Sequence, residues 1–186
     1  MLRIAANGSA ANGLLGDRLY VSGHDDEQQH EPMTWQSKLK INDVAKLTKF
    51  SLSISIPKGE THAVVDYLGG TAEFICPNYF STFHVMEKVD VYSFGSFLLE
   101  LLTGRRLGHL AQTAKDEGAD LVENIKNLAI NEIVKPAILA GGGAGVEQQV
   151  QAVLQFALIC REQDPEIRPN MIDVTKELRN IERFIP

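Results

Sequence analysis

The sharpest pattern of apolar positions begins near Lys88. Val91, Phe94, Leu98 and Leu101 recur at steps of three, four and three, which predicts an α-helix over about 88–103. Phe97 and Leu102 widen the stripe so far that this helix is expected to be nearly all buried, at the centre of a core. Gly104 stands where a C-terminal cap belongs, with Arg105 and Arg106 beside the negative end of the helix dipole. The same period predicts three further helices. One runs from about Ala119 to Ala129, with Leu121, Ile125 and Leu128 inward. Another runs from Val146 to about Arg161 on Val150, Val153, Leu154 and Ala157. The last runs from about Asn170 to Phe184 on Met171, Val174, Leu178 and Ile181. Between the first two of these, Gly141-Gly142-Gly143-Ala144-Gly145 breaks the chain.

Upstream the period changes. Leu52-Ser53-Ile54-Ser55-Ile56 alternates strictly, as a half-buried strand does, and Pro57-Lys58-Gly59 ends it. Val44-Ala45-Lys46-Leu47 reads as a short strand, and Trp35 opens a short mixed segment, Gln36 to Ile41. The first ~34 residues have no period: Asn7-Gly8 and Asn12-Gly13 are turn dipeptides, and Gly23 to Pro32 is polar and acidic. The expected organisation is a degenerate or poorly ordered segment over 1–43, then a mainly helical domain over 44–186, α+β overall.

Composition narrows the function more than the fold. Hydrophobic residues make up 44% of the 186 and charged residues 23%, enough to build a real core. The net charge of −6 argues against a nucleic-acid partner, because phosphate-backbone binding needs clustered Lys and Arg. Cys76 and Cys160 lie far apart without a metal-type spacing, so two buried thiols in a reducing compartment are expected. The run Met1 to Ala6 is too short for a signal peptide, and nothing reaches the ~18 apolar residues of a membrane span. A cytoplasmic protein is expected, with peripheral placement at the plasma membrane as an alternative.

Three segments, read in order, resemble the carboxy-terminal lobe of plant receptor-like protein kinases. Gly70-Thr71-Ala72-Glu73-Phe74-Ile75-Cys76-Pro77-Asn78-Tyr79 is similar to the end of an activation segment, whose family form is G-T-x-G-Y-x-A-P-E-Y. Glu87 to Gly95, running on through Leu98 to Arg105, is similar to the family's central helix. Cys160 to Pro169, followed by Met171, matches the segment before the last helix. Together these cover roughly residues 44 to 183, with an activation-segment-like stretch over 49–79 and terminal helices over about 146–184. Phe50-Ser51 in place of Phe-Gly resembles a wall-associated-kinase-like pseudokinase group, whose members are adaptors for immune receptors of the nucleotide-binding, leucine-rich-repeat type.

The resemblance also states which parts phosphoryl transfer requires. The metal-binding Asp would precede Phe50, and Lys49 stands there, a cation that would repel Mg²⁺. No His-Arg-Asp occurs, and His24-Asp25-Asp26 lacks the following Asn and precedes Trp35, out of family order. Only Asn42, Asp43 and Val44 separate Ile41 from Ala45, where the family carries a long helix and the catalytic loop. Gly8 to Gly13 has a P-loop skeleton, but Leu14 and Leu15 replace its Lys and Ser/Thr. Lys46 in Val44-Ala45-Lys46 reads as a strand-surface residue, and Gly143-Ala144-Gly145 as a flexible loop. The expectation is a truncated lobe without an amino-terminal lobe or catalytic-loop block, with no catalytic, cofactor-binding or metal-binding residues. The missing block is expected to leave apolar surface open on the central helix.

The remaining candidate residues are structural or interacting. Asp90 would bond the backbone of the catalytic loop, and Gly95 belongs to the central-helix signature. Arg168 would pair with the Glu of A-P-E; with Asn78 there, it is expected to find another anion or stay wet. Thr71 and Pro77 belong to the activation-segment motif, and Thr71, Thr61 and the serines from Ser51 to Ser55 are candidate phosphate acceptors. Three readings follow: a non-catalytic adaptor or decoy that binds an immune receptor or an active receptor-like kinase; a serine/threonine kinase using ATP and Mg²⁺; or a degenerate fragment without function.

Overall fold

The predicted central helix is present. In a computed structural model, which describes residues 3–6, 45–48, 50–127, 134 and 144–183, it runs over Glu87–Thr103. In chain order the elements are β1 Arg3–Ala6, β2 Ala45–Thr48, β3 Ala63–Val64, α1 Pro77–Thr82, β4 His84–Val85, α2 Glu87–Thr103, α3 Leu107–Asp116, α4 Leu121–Asn127, α5 Ala144–Cys160 and α6 Met171–Arg183. Single 3-10 turns occupy Phe50–Leu52 and Ala72–Phe74. Among the described residues the architecture is mainly helical, with two small antiparallel ladders. One pairs Arg3 with Thr48 through Ala6 with Ala45, and the other pairs Ala63 with Val85 and Val64 with His84.

The chain divides into two compact units, residues 49–99 with 149–186 and residues 2–48 with 100–148. In the first, two apolar clusters sit on successive faces of α2. Val91 packs with Cys160, Val174, Phe94, Phe156 and Leu178; Tyr92 packs with Cys76 and Tyr79. The inward positions read for α5 are all buried, and Asn170 caps α6 by accepting from Asp173 N at 2.9 Å. Gln149, also buried, donates to the Ile181 carbonyl at 2.9 Å and so occupies one of the acceptors that a helix C-terminus leaves open.

In the second unit Gly104 ends α2 with φ 61° and donates to the Glu100 carbonyl at 2.8 Å, the cap that the sequence implied. The Glu100 carboxylate then accepts from Leu107 N at 2.7 Å and caps the start of α3. Leu107, Ala114, Ile125 and Val134 are buried in this unit.

Several expectations are corrected. Leu52 to Ile56 forms no strand, and Leu52 and Ile54 are exposed; alternation specifies two faces, but no strand pairs with this one among the described residues. Helix α3 was not expected, although Leu107, Leu110, Ala111 and Ala114 carry its i, i+3, i+4, i+7 spacing. Met171, at the first position of α6, is exposed, while Val174 and Ile181 are buried. The central helix presents no exposed apolar side chain, contrary to the open surface anticipated for it. Arg3–Ala6 forms a strand within the stretch expected to lack structure. Trp35, His24 to Asp26 and the Gly8–Gly13 segment lie outside the described residues.

Candidate functional site

The activation-segment-like stretch is held against the central helix by bonds to its backbone. Ser93 Oγ donates to the Phe74 carbonyl at 2.8 Å, and Ser96 Oγ lies 3.3 Å from the Glu73 carbonyl. Arg161, buried, donates from Nη1 to the same Glu73 carbonyl at 3.2 Å and to Ser96 Oγ. The Tyr79 hydroxyl accepts from Gly69 N at 3.1 Å and lies 3.3 Å from the Tyr67 carbonyl, so one buried ring anchors the turn that leads into Thr71. Thr71 is half-buried; it precedes the 3-10 turn, and its carbonyl accepts from Phe74 N at 2.9 Å. Pro77 opens α1, where its fixed φ fits and its missing N–H costs nothing.

Gly95 makes the helix pair possible. A Cβ built there would come within 2.8 Å of the Ala157 carbonyl and of Cys160 Cβ, and 2.9 Å from Arg161 Cγ. The backbones of α2 and α5 therefore approach at a point where only a hydrogen fits. Burial pushes the Cys160 thiol up to about 12, which keeps it protonated and unreactive.

Arg168 is 1% exposed, and among the described residues its guanidinium is held by neutral oxygens alone. Nε donates to the Glu162 carbonyl at 2.7 Å and Nη1 to the Lys88 carbonyl at 3.3 Å. Nη2 reaches the Gln163 carbonyl at 2.9 Å and Asn78 Oδ1 at 3.1 Å. Lys88 Nζ in turn donates to the Arg168 carbonyl. The guanidinium carbons of Arg161 and Arg168 lie 4.4 and 5.1 Å from the centre of the Tyr92 ring, within cation–π range. The expectation for Arg168 was another anion or water. Backbone carbonyls take that place instead, two from the turn that joins α5 to α6 and one from Lys88 on α2.

Asp90 shares none of this network. It is exposed, no described residue donates to its carboxylate, and desolvation by the chain around it raises its carboxyl from the ordinary value. Lys49 lies outside the described residues. No group of three or more His, Cys, Asp or Glu able to hold a metal occurs among the described residues. No described helix is long and apolar enough to cross a membrane.

A central buried helix, a tied-down segment ahead of it and a buried arginine before the last helix form an arrangement consistent with a fragment of a protein-kinase carboxy-terminal lobe. The relatives agree. The chain is 36% identical over 149 residues to an Arabidopsis thaliana protein named non-functional pseudokinase ZRK2, a match covering 77% of this chain and 41% of that protein. It is also 36% identical over 146 residues to serine/threonine-protein kinase ZRK1 of the same plant, covering 77% and 42%. Against inactive serine/threonine-protein kinase ZRK12, again of Arabidopsis thaliana, it is 34% identical over 147 residues, covering 79% and 36%. Its homologues are thus plant receptor-like serine/threonine kinases, including named pseudokinases. The chain spans about two fifths of the length of the first two relatives. No protein-family model matches it.

Proposed function

We propose that the chain is a catalytically inactive, kinase-like protein that works by binding other proteins, as an adaptor or decoy in plant immune or receptor signalling. The observation that carries this reading is Lys49, which directly precedes Phe50 where phosphoryl transfer needs a carboxylate for Mg²⁺. An ammonium at that point replaces attraction for the metal with repulsion. The absence of His-Arg-Asp from the chain supports the same reading, as do the relatives named pseudokinases. The groups that hold the fold, Gly95, Arg161 and Arg168, are in place. The finer placement is a wall-associated-kinase-like group in the cytoplasm, serving a nucleotide-binding, leucine-rich-repeat receptor or an active receptor-like kinase.

Thermal unfolding with and without ATP and Mg²⁺ tests this. A ligand that binds only the folded chain raises its midpoint, so no shift is expected. A rise that saturates with ATP would instead favour the reading as an ATP-using kinase, for which the similarity to a relative named a kinase is the supporting observation. For the adaptor role, co-precipitation with candidate receptors is expected to fall when the exposed Tyr67 and Phe80 are replaced by Ser. Unchanged capture by that variant would exclude the 60–80 surface as the docking face.

A further inference from the structure

Leu52-Ser53-Ile54-Ser55-Ile56 carries the alternation of a strand, yet no helix, turn or strand forms from Ser53 to Pro57. Ser51 to Ser55 are all exposed, Ile54 to 41%. Among the described residues nothing bonds the backbone of Ile54, Ser55 or Ile56, and the next backbone bond downstream runs from Glu60 N to the Pro57 carbonyl. An alternating stretch with open backbone groups is a template for pairing with another strand, and proteins usually blunt it with charge or proline. Here no charged residue lies between Lys49 and Lys58, and Pro57 stands after the alternation ends.

The pattern also specifies the partner strand. Turned about Ile54, the stretch reads alike in both directions: apolar, Ser, Ile, Ser, apolar. An antiparallel pair of two copies centred there sets Ile54 opposite Ile54, Leu52 opposite Ile56 and Ser53 opposite Ser55. Every apolar side chain then lies on one face of the ribbon and every serine on the other, with no like charges opposed. A slip of one residue would set each isoleucine opposite a serine and mix the faces. Donors alternate between the two edges of a strand, so Ile54 and Ile56 offer theirs on the same edge. Ile54 N–H reaches the Ile54 carbonyl of the second copy, and Ile56 N–H reaches its Leu52 carbonyl. The two-fold axis repeats both bonds. Such a contact uses the same patch on each copy and closes at two chains.

We infer that the chain pairs with a second copy of itself through an antiparallel ladder over Leu52 to Ile56, centred on Ile54. A ladder this short buries far less than the ~1,200 Å² of a stable interface, so the dimer is weak and forms as concentration rises. This pairing stands apart from the reading as an inactive adaptor. A melting shift with ATP would overturn that reading and leave the ladder as it is.

The test uses the full chain. Sedimentation from about 1 μM to about 1 mM is expected to show one chain passing into two. Ile54→Lys sets like charges opposite each other on the axis, and it is expected to stay a single chain throughout, with the parent melting temperature when dilute. Register is read by cysteine cross-linking with oxidised glutathione, because Cys76 and Cys160 are fully buried and stay out of the reaction. Ile54→Cys meets its own copy at a spacing a disulfide spans, whereas Ile56→Cys lies about 13 Å from its counterpart. The first variant is therefore expected to cross-link at least about tenfold faster than the second. A single chain at every concentration would leave a strand of another protein as the occupant and overturn the proposal. Growth beyond two chains, dimers retained by I54K, or equal cross-linking of the two cysteine variants would overturn it as well.

Discussion

Within the unit formed by residues 49–99 and 149–186, the stretches Glu73–Tyr79 and Ser51–Thr61 differ in almost every physical respect. The first is tied to α2 by Ser93, Ser96 and Arg161, and it places Cys76 and Tyr79 in the core. The second is mostly exposed, forms no ladder, and has Leu52 and Ile54 facing solvent. The second also adjoins Lys49, which the proposed reading sets where a metal ligand would stand. The bonds that hold the core of this unit, at Ser93, Ser96 and Arg161, involve none of the residues from Ser51 to Thr61. On the proposed reading, changes in the second stretch leave the packed core as it is, since a scaffold and the site grafted on it are separable.

The contrast is tested most severely at Arg168. Arg168→Ala leaves Asn78 Oδ1 and the carbonyls of Lys88, Glu162 and Gln163 without their donor and opens a cavity beside Tyr92. The expected loss is about 3 kcal/mol or more, read from denaturant unfolding. Arg168→Lys is expected to recover little of it, since an ammonium cannot span four acceptors spread around a planar fork. A loss below about 1 kcal/mol would mean that the turn between α5 and α6 holds itself without the guanidinium.

Gly95→Ala comes next, and its sign is the informative part. Intrinsic helix propensity favours alanine over glycine by about 1 kcal/mol. The 2.8 Å approach of Ala157 O and Cys160 Cβ opposes this, because both belong to a packed helix that must move as a unit. Overpacking of this kind costs about 1–3 kcal/mol, so net destabilisation is expected in thermal unfolding. The matching change in the exposed stretch, Ile54→Ser, is expected to stay within about 0.5 kcal/mol of the parent chain. Equal effects from the two would erase the distinction between the regions.

These cases also show what the sequence could and could not reveal. Helices α2, α5 and α6 were legible because each buries a face whose spacing survives any rearrangement around it. The strand expected over Leu52 to Ile56 was not found, because alternation gives a register but no partner strand. Gly95 was visible as a motif letter, whereas the reason for it, the Ala157 carbonyl and Cys160 Cβ on the facing helix, lies 62 to 65 residues away. The reach of Arg168 to three carbonyls was least legible of all. Every residue carries a carbonyl, and only the fold gathers these three, two from the turn before α6 and one from Lys88 on α2.

Asp90 gives the smallest expected effect and touches the comparison from outside, because it lies on α2 yet joins none of the network. Desolvation raises its carboxyl, so the folded chain binds that proton more tightly than the unfolded chain does. The stability this confers is present in acid and is lost as the pH rises through the folded value. Above that value the ionised group is a small liability. Asp90→Asn is therefore expected to melt slightly higher than the parent at pH 7, with the difference shrinking as the pH falls through the folded value. A helix N-terminus works in the opposite direction, since Asp90 lies in the first turn of α2 and a negative charge is favoured there. Melting curves across that pH range decide between the two. If Asp90→Asn melts lower at pH 7, the dipole outweighs desolvation, and Asp90 joins Gly95 and Arg168 among the residues that hold the central helix in place.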